Sequence, residues 1–193
     1  SAWGLLRMSV ILALIVLSGG PMADIGPAPE VTLIDAREHP FQLSELRGKA
    51  VVVSFVYTTC NGTCPLTTAG LDRVRRSLKG RGLWGKRVAF VSITLDPERD
   101  TPAVLARYAA LYRAEPEHWH FLTGTPGRVN DVLKAWDMWA KVVPSGVIDH
   151  PSRIFLVDPN GRQREIYSLE TLDPEAVADD VASVLNEGRG ARR

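Results

Sequence analysis

The chain has 193 residues, of which 45% are hydrophobic and 23% charged, with a formal net charge of +1. That is the balance of a soluble globular domain of ordinary size plus a tail, and it removes any bulk electrostatic case for nucleic acid. There are two cysteines, Cys60 and Cys64. Residues 8–17 form an almost unbroken apolar run after Arg7, followed by Ser18-Gly19-Gly20-Pro21. About ten residues is half of the roughly 20 that span a hydrocarbon core, and suits a signal-peptide core. Counting Trp3, Leu5 and Leu6 lengthens the run, with Arg7 inside it, and leaves an uncleaved anchor as the alternative. Gly26-Pro27-Ala28-Pro29 reads as linker. The expected organisation is therefore 1–29 as signal peptide or membrane anchor plus linker, 30–188 as a folded domain outside the cytoplasm, and 189–193, with Arg189, Arg192 and Arg193, as a frayed tail.

Residues 31–35 and 40–43 predict two short strands, and 44–49 a short helical turn ending on Gly48. Residues 50–57 (Ala-Val-Val-Val-Ser-Phe-Val-Tyr) are β-branched and aromatic on both faces, as expected of an interior strand. Thr58-Thr59-Cys60-Asn61-Gly62-Thr63-Cys64-Pro65 then turns the chain into a helix running to about Lys79, with Leu66, Leu71, Val74 and Leu78 at helical steps. A second apolar strand covers 88–95 and stops at Asp96-Pro97. Thr101 and Pro102 read as the cap and first residue of the next helix. A strand at 119–122, a helix at 126–136, a hairpin of 154–157 and 164–167 joined by Asp158-Pro159-Asn160-Gly161, and a last helix at 174–186 complete the chain. This order predicts an α/β fold of thioredoxin-like type, with a mixed central sheet and helices on both faces.

Both cysteines fall where a buried strand becomes a helix, a place whose free amides and dipole favour anions, thiolates included. Four positions apart, they can share one face of a turn, close enough for a disulfide or a common metal. A purely structural bridge would close a very short loop and return little stability, so these thiols read as functional. Sites in such sheets collect at the carboxyl ends of parallel strands. Asp96 ends the strand beside the cysteine strand, and a strand of opposite direction would bring Asp149-His150 to the same rim. Two thiolates and one imidazole suit Cu(I), Cu(II) or Zn(II), leaning towards copper. His39, His118 and His120 read as surface or capping residues.

Phe55-Val56-Tyr57-Thr58-Thr59-Cys60 with Cys64-Pro65, then Ser92-Ile93-Thr94-Leu95-Asp96-Pro97-Glu98-Arg99-Asp100-Thr101-Pro102, Asp149-His150 and Leu156-Val157-Asp158-Pro159-Asn160-Gly161, resemble the Sco/SenC family over about residues 30–187. The resemblance implies a copper metallochaperone that is tethered to the inner membrane on its periplasmic side and helps to mature the dinuclear copper centre of cytochrome c oxidase. Its implied partners are the copper-centre subunit of that oxidase and other copper or thiol carriers, with no nucleic acid, and the chain is expected to be a monomer. Carried onto this sequence, Cys60, Cys64 and His150 are the copper ligands, with Asp96 and Asp149 behind them and Asp149 orienting the imidazole. Asn61 stands where the family usually has proline, and the segment 141–148 before Asp149 is shorter than the family's loop.

A second reading is a thiol–disulfide oxidoreductase in which Cys60 attacks a partner disulfide and Cys64 resolves it. A peroxidase on this fold would want threonine three residues before the reactive cysteine, where Tyr57 stands. A purely structural or adaptor domain would leave both cysteines dispensable.

Overall fold

The structure, a computed structural model, describes residues 21–60 and 63–190, apart from the side chains of Thr63, Cys64 and residues 188–190. The expected signal or anchor run, the turn residues Asn61 and Gly62 and residues 191–193 of the tail lie outside the described residues. In chain order, β1 (Gly26–Pro27), β2 (Thr32–Asp35) and β3 (Pro40–Gln42) lead through a 3-10 turn at Leu43–Leu46 to β4 (Ala50–Val56). Next come α1 (Thr63–Gly80), β5 (Val88–Thr94), α2 (Pro102–Leu111), β6 (Trp119–Thr123) and α3 (Pro126–Ala135). The chain continues with β7 (Lys141–Val142), β8 (Ile148–Asp149), β9 (Ile154–Val157), β10 (Arg162–Tyr167) and α4 (Pro174–Gly190).

Among the described residues, eight strands form one sheet in the order β1-β10-β9-β4-β5-β6-β2-β3. All seven residues of β4 are buried. On one side β4 runs parallel to β5, from Ala50 opposite Val88 to Val56 opposite Thr94. On the other it runs antiparallel to β9, with Val51 opposite Val157 and Val53 opposite Phe155. One face packs Val52 and Phe90 against Leu71, Leu78, Leu105 and Val181 of the α1, α2 and α4 layer. The other packs Val53 and Ile93 against Val129 and Leu133 of α3. Each such side chain contributes about 1.5–3 kcal/mol on full burial, which explains a strand apolar on both faces. The arrangement is the thioredoxin-like α/β fold read from the sequence.

Three polar side chains inside the sheet pair with one another. Ser54 and Ser92 meet across the β4–β5 pair at 2.8 Å, and Trp119 Nε1 donates to Ser92 Oγ at 3.0 Å. The helix caps agree with the sequence: Thr101 accepts from the Val104 amide, with Pro102 opening α2. α1 begins at Thr63, two residues before Pro65. A proline in the first turn is tolerated because its missing N–H would have no intrahelical partner.

Two elements were not legible. β1, which reads as linker, pairs Gly26 with Gln163 and Pro27 with Arg162. The segment before it is held by Arg164, whose guanidinium donates to the carbonyls of Met22 (2.6 Å) and Ala23 (2.7 Å), to Asp158 (3.0 Å), and pairs with Glu187 (2.7 Å). The other is the β7–β8 hairpin, with Val142 opposite Ile148 and Lys141 opposite Asp149. Two-residue strands carry no periodicity for a sequence reading to detect. No helix among the described residues is long and apolar enough to cross a membrane.

His120, expected at the surface, instead packs its ring 5.1 Å from that of Phe41, and its Nε2 has no hydrogen-bond partner among the described residues. Burial is the main cause that lowers its pKa to about 4, partly opposed by the charge of Asp35. Unfolded, the imidazole titrates near 6.5. The unfolded chain therefore takes up this proton first as pH falls, and the native state loses stability between pH 6.5 and about 4. The expected loss from this one group is about 2–3 kcal/mol. Urea unfolding across that window checks it, and His120→Phe is expected to flatten most of the slope.

Candidate functional site

The site grows from the carboxyl edge of β4. The strand ends at Val56, whose carbonyl still accepts from the Leu95 amide at 2.8 Å, so the chains leaving β4 and β5 remain in step. Thr58, next along, is fastened to Asp100. One oxygen of that carboxylate accepts from the Thr58 amide (3.2 Å) and from Thr94 Oγ1 (2.7 Å), and the other from Thr58 Oγ1 (2.5 Å). Asp100 has 0% exposure. The next residue, Thr101, caps α2, so one short loop holds both the cysteine turn and a helix.

The Cys60 amide then donates to the Tyr57 carbonyl at 3.3 Å, closing the turn. Cys60 is half-buried against the apolar cluster on the α3 face. Cys64 lies in the first turn of α1, and its side chain is outside the described residues.

His150 arrives from the opposite direction. Because β9 runs antiparallel to β4, residues 150–153 approach β9 beyond the carboxyl edge of β4, the edge on which the cysteine turn sits. Tyr57, only 3% exposed, joins the two sides. Its hydroxyl accepts from the Ile148 amide at 3.3 Å, and its ring stands edge-on to the His150 ring, centroids 6.0 Å apart at 89°. His150 Nδ1 lies 2.9 Å from the Pro151 carbonyl. A carbonyl only accepts, so Nδ1 carries the proton, and the neutral form of this ring has its lone pair on Nε2, the form in which an imidazole ligates a metal.

The two aspartates expected behind the ligands differ in burial. Asp149 is exposed on β8, opposite Lys141, and the bond that orients His150 comes from Pro151. A residue on a two-stranded hairpin alternates faces with its neighbours, which turns Asp149 to solvent while Ile148 goes inward. Asp96 is buried at 6% exposure, but its carboxylate pairs with Arg99 at 2.9 Å. Among the described residues no group of three or more His, Cys, Asp and Glu side chains is arranged to hold a metal ion. The Cys64 thiol is not among those residues. The donors on this rim, thiol sulfur and an imidazole with Nε2 available, are of the type that soft and borderline ions take.

Sequence reading missed Tyr57 and Asp100 as organising residues. Asp100 belongs to the quoted Asp96-to-Pro102 motif, yet its partner Thr58 is 42 positions earlier, a pairing only the fold creates. Tyr57 likewise reaches 91 positions to Ile148.

A thioredoxin-like sheet that delivers a thiol turn and an imidazole to one edge defines a class of thiol-bearing proteins able to bind metals. Comparison with known proteins narrows it. The family described as SCO1/SenC matches residues 26–186, a stretch that begins at the first residue of β1. The chain is 30% identical over 146 residues to the SCO1 protein homolog of Bacillus subtilis, covering 73% of this chain and 74% of that protein. It matches the structure of Bradyrhizobium japonicum ScoI with copper bound at a TM-score of 0.69 and 29% identity, over 81% of this chain and 98% of that one. It also matches BsSco, described as a member of the Sco family of cytochrome c oxidase assembly proteins with a disulfide switch, at a TM-score of 0.74 and 26% identity, over 86% and 97% of the two chains. The chain belongs to the SCO1/SenC family.

Replacing Asp100 by Ala strands a buried amide and two hydroxyls, and is expected to cost about 2–4 kcal/mol of unfolding free energy in urea. Thr58→Val, which removes only the hydroxyl, is expected to cost about 1–2 kcal/mol. Tyr57→Phe keeps the ring but removes the acceptor for Ile148; amide hydrogen exchange is expected to accelerate at Ile148 with little change in the strands of the core.

Proposed function

We propose that this protein is a copper carrier that holds the ion between Cys60, Cys64 and His150 and passes it to the dinuclear copper centre of cytochrome c oxidase. One observation carries the reading: Tyr57, three residues before Cys60, grips the hairpin that bears His150 through both its hydroxyl and its ring. Two segments some ninety residues apart are thereby tied at one rim. A copper-bound structure among the relatives, and the description of another as a cytochrome c oxidase assembly protein, support the choice of ion and destination. Three ligands leave the ion open to an incoming thiolate, so transfer proceeds by exchange of one sulfur at a time. Trp139, Val142 and Val147 are exposed around the hairpin and give an acceptor protein an apolar footing beside His150. The run at 8–17 and the thiol chemistry support a domain outside the cytoplasm, tethered to the inner membrane by its N-terminal segment, and in this reading the carrier acts as a monomer.

A second reading is favoured by the disulfide switch described for BsSco. The Cys60 thiolate attacks a partner disulfide and expels one partner thiolate. Cys64 then attacks the mixed disulfide, which leaves the pair oxidised and the partner reduced.

Titration of the reduced chain with Cu(I) and with Cu(II) separates the two. The expected result is stoichiometric binding, with a sulfur-to-copper charge-transfer band for Cu(II) that Cys60→Ser abolishes. His150→Ala is expected to weaken binding at least tenfold, about 1.4 kcal/mol, while disulfide exchange stays near its original rate. Silence with both ions would give the site to disulfide exchange, and unchanged affinity in His150→Ala would remove the third ligand.

A further inference from the structure

The end of the sheet away from the cysteine turn is built from stretches that bond to one another. Gly48, on the way into β4, donates to the Pro159 carbonyl in the β9–β10 turn at 2.9 Å. The Arg47 guanidinium lies over Gly161 of the same turn and leaves no room there for a Cβ. Lys49 Nζ donates to the Gly85 carbonyl in the α1–β5 turn at 2.7 Å, and Arg87 from that turn donates to the Leu185 carbonyl of α4 at 3.1 Å. Arg47, Lys49 and Lys86 are thereby gathered at one end of the domain. The acids of this end are spoken for: Arg164 pairs with Asp158 and Glu187, and Arg162 with Asp24. Arg47, Lys49 and Lys86 are left without an ion-pair partner among the described residues, against exposed Glu45. The rim has the opposite bias, with Glu98, Asp149 and Glu170 exposed against Lys141.

The chain before the domain leaves from this basic end, because Arg164 fastens the carbonyls of Met22 and Ala23 to it. Leu17, the last residue of the apolar run, is five positions before Met22. Even fully extended, that stretch reaches about 18 Å at most. An apolar run seated in a bilayer therefore holds this end within about two Debye lengths of the headgroups at physiological ionic strength. At so short a range the sign of the facing surface decides whether the domain settles or swings free, and anionic headgroups attract Lys and Arg placed just beside the membrane.

We propose that this face rests on anionic phospholipid headgroups and so turns the cysteine turn away from the bilayer. The inference rests on the tethered placement and is separate from the copper reading, since none of these residues is a proposed ligand. The test uses the full 15N-labelled chain in bicelles of phosphatidylcholine alone, or of equimolar phosphatidylcholine and phosphatidylglycerol, each carrying a gadolinium-chelate lipid. With phosphatidylglycerol present, the amides of Gly48, Lys86 and Asn160 are expected to broaden several-fold more than those of Ile148 and Ser152. In phosphatidylcholine alone, or at high salt, that contrast is expected to collapse. Replacing Arg47, Lys49 and Lys86 together by Gln is expected to abolish it, and Lys86→Glu alone, at an exposed position, to lower it roughly twofold or more. Equal contrast in both lipids, no change in either variant, or the strongest broadening at Ile148 would overturn the proposal. Soluble polyglutamate shifting the same amides as strongly as the anionic bicelles would assign the face to an acidic protein and overturn the lipid reading. Flotation with phosphatidylcholine vesicles reports on the anchor by itself, so a failed tether and a failed face are told apart.

Discussion

Asp100 carries a carboxylate with no exposed surface and no ion pair among the described residues, stabilised by hydrogen bonds from Thr58 and Thr94. Bonds to a charged group are worth about 1.5–3 kcal/mol each, and leaving such a charge unmatched would cost several. That stake makes the loop between β5 and α2 the fixed point to which the cysteine turn is tied. Thr58 cannot drift without uncovering the carboxylate, so the start of the turn is set by the core and not by the turn's own sequence.

Strand direction supplies the rest of the geometry. A parallel neighbour, β5, ends where β4 ends and brings Asp96 and Asp100 to the rim; an antiparallel neighbour, β9, starts there and brings His150. Parallel pairing alone would have needed another helical crossover to deliver a third group. A mixed sheet does it with one short hairpin, and Tyr57 fastens that hairpin to the cysteine side.

Much of this could be read from the residues. The interior strands announced themselves as β-branched runs, the α2 cap by Thr101-Pro102, and the rim by which strands end with Asp96 and begin after His150. The legible parts are those that repeat a local physical rule over several residues. β1 and the β7–β8 pair are too short for any rule to repeat. The links Thr58–Asp100 and Tyr57–Ile148 join residues that acquire meaning only once the sheet has closed. Adjacency has its limit as a guide: Asp149 is exposed on β8, while the neighbour on the other side of His150, Pro151, accepts the bond from the imidazole. His120 shows the same limit for polarity, since a residue read as surface became a neutral ring against Phe41.

Arg164 gives the domain a base. It binds the backbone of Met22 and Ala23 beside Asp158, which follows β9 at the end of the sheet opposite the cysteine turn. β4 rises about 3.3 Å per residue, so the mooring and the rim stand roughly 20 Å apart on opposite sides of the domain. The N-terminal segment therefore joins the domain at its foot and the cysteine turn stands at the far end, like a mast with its lamp at the top.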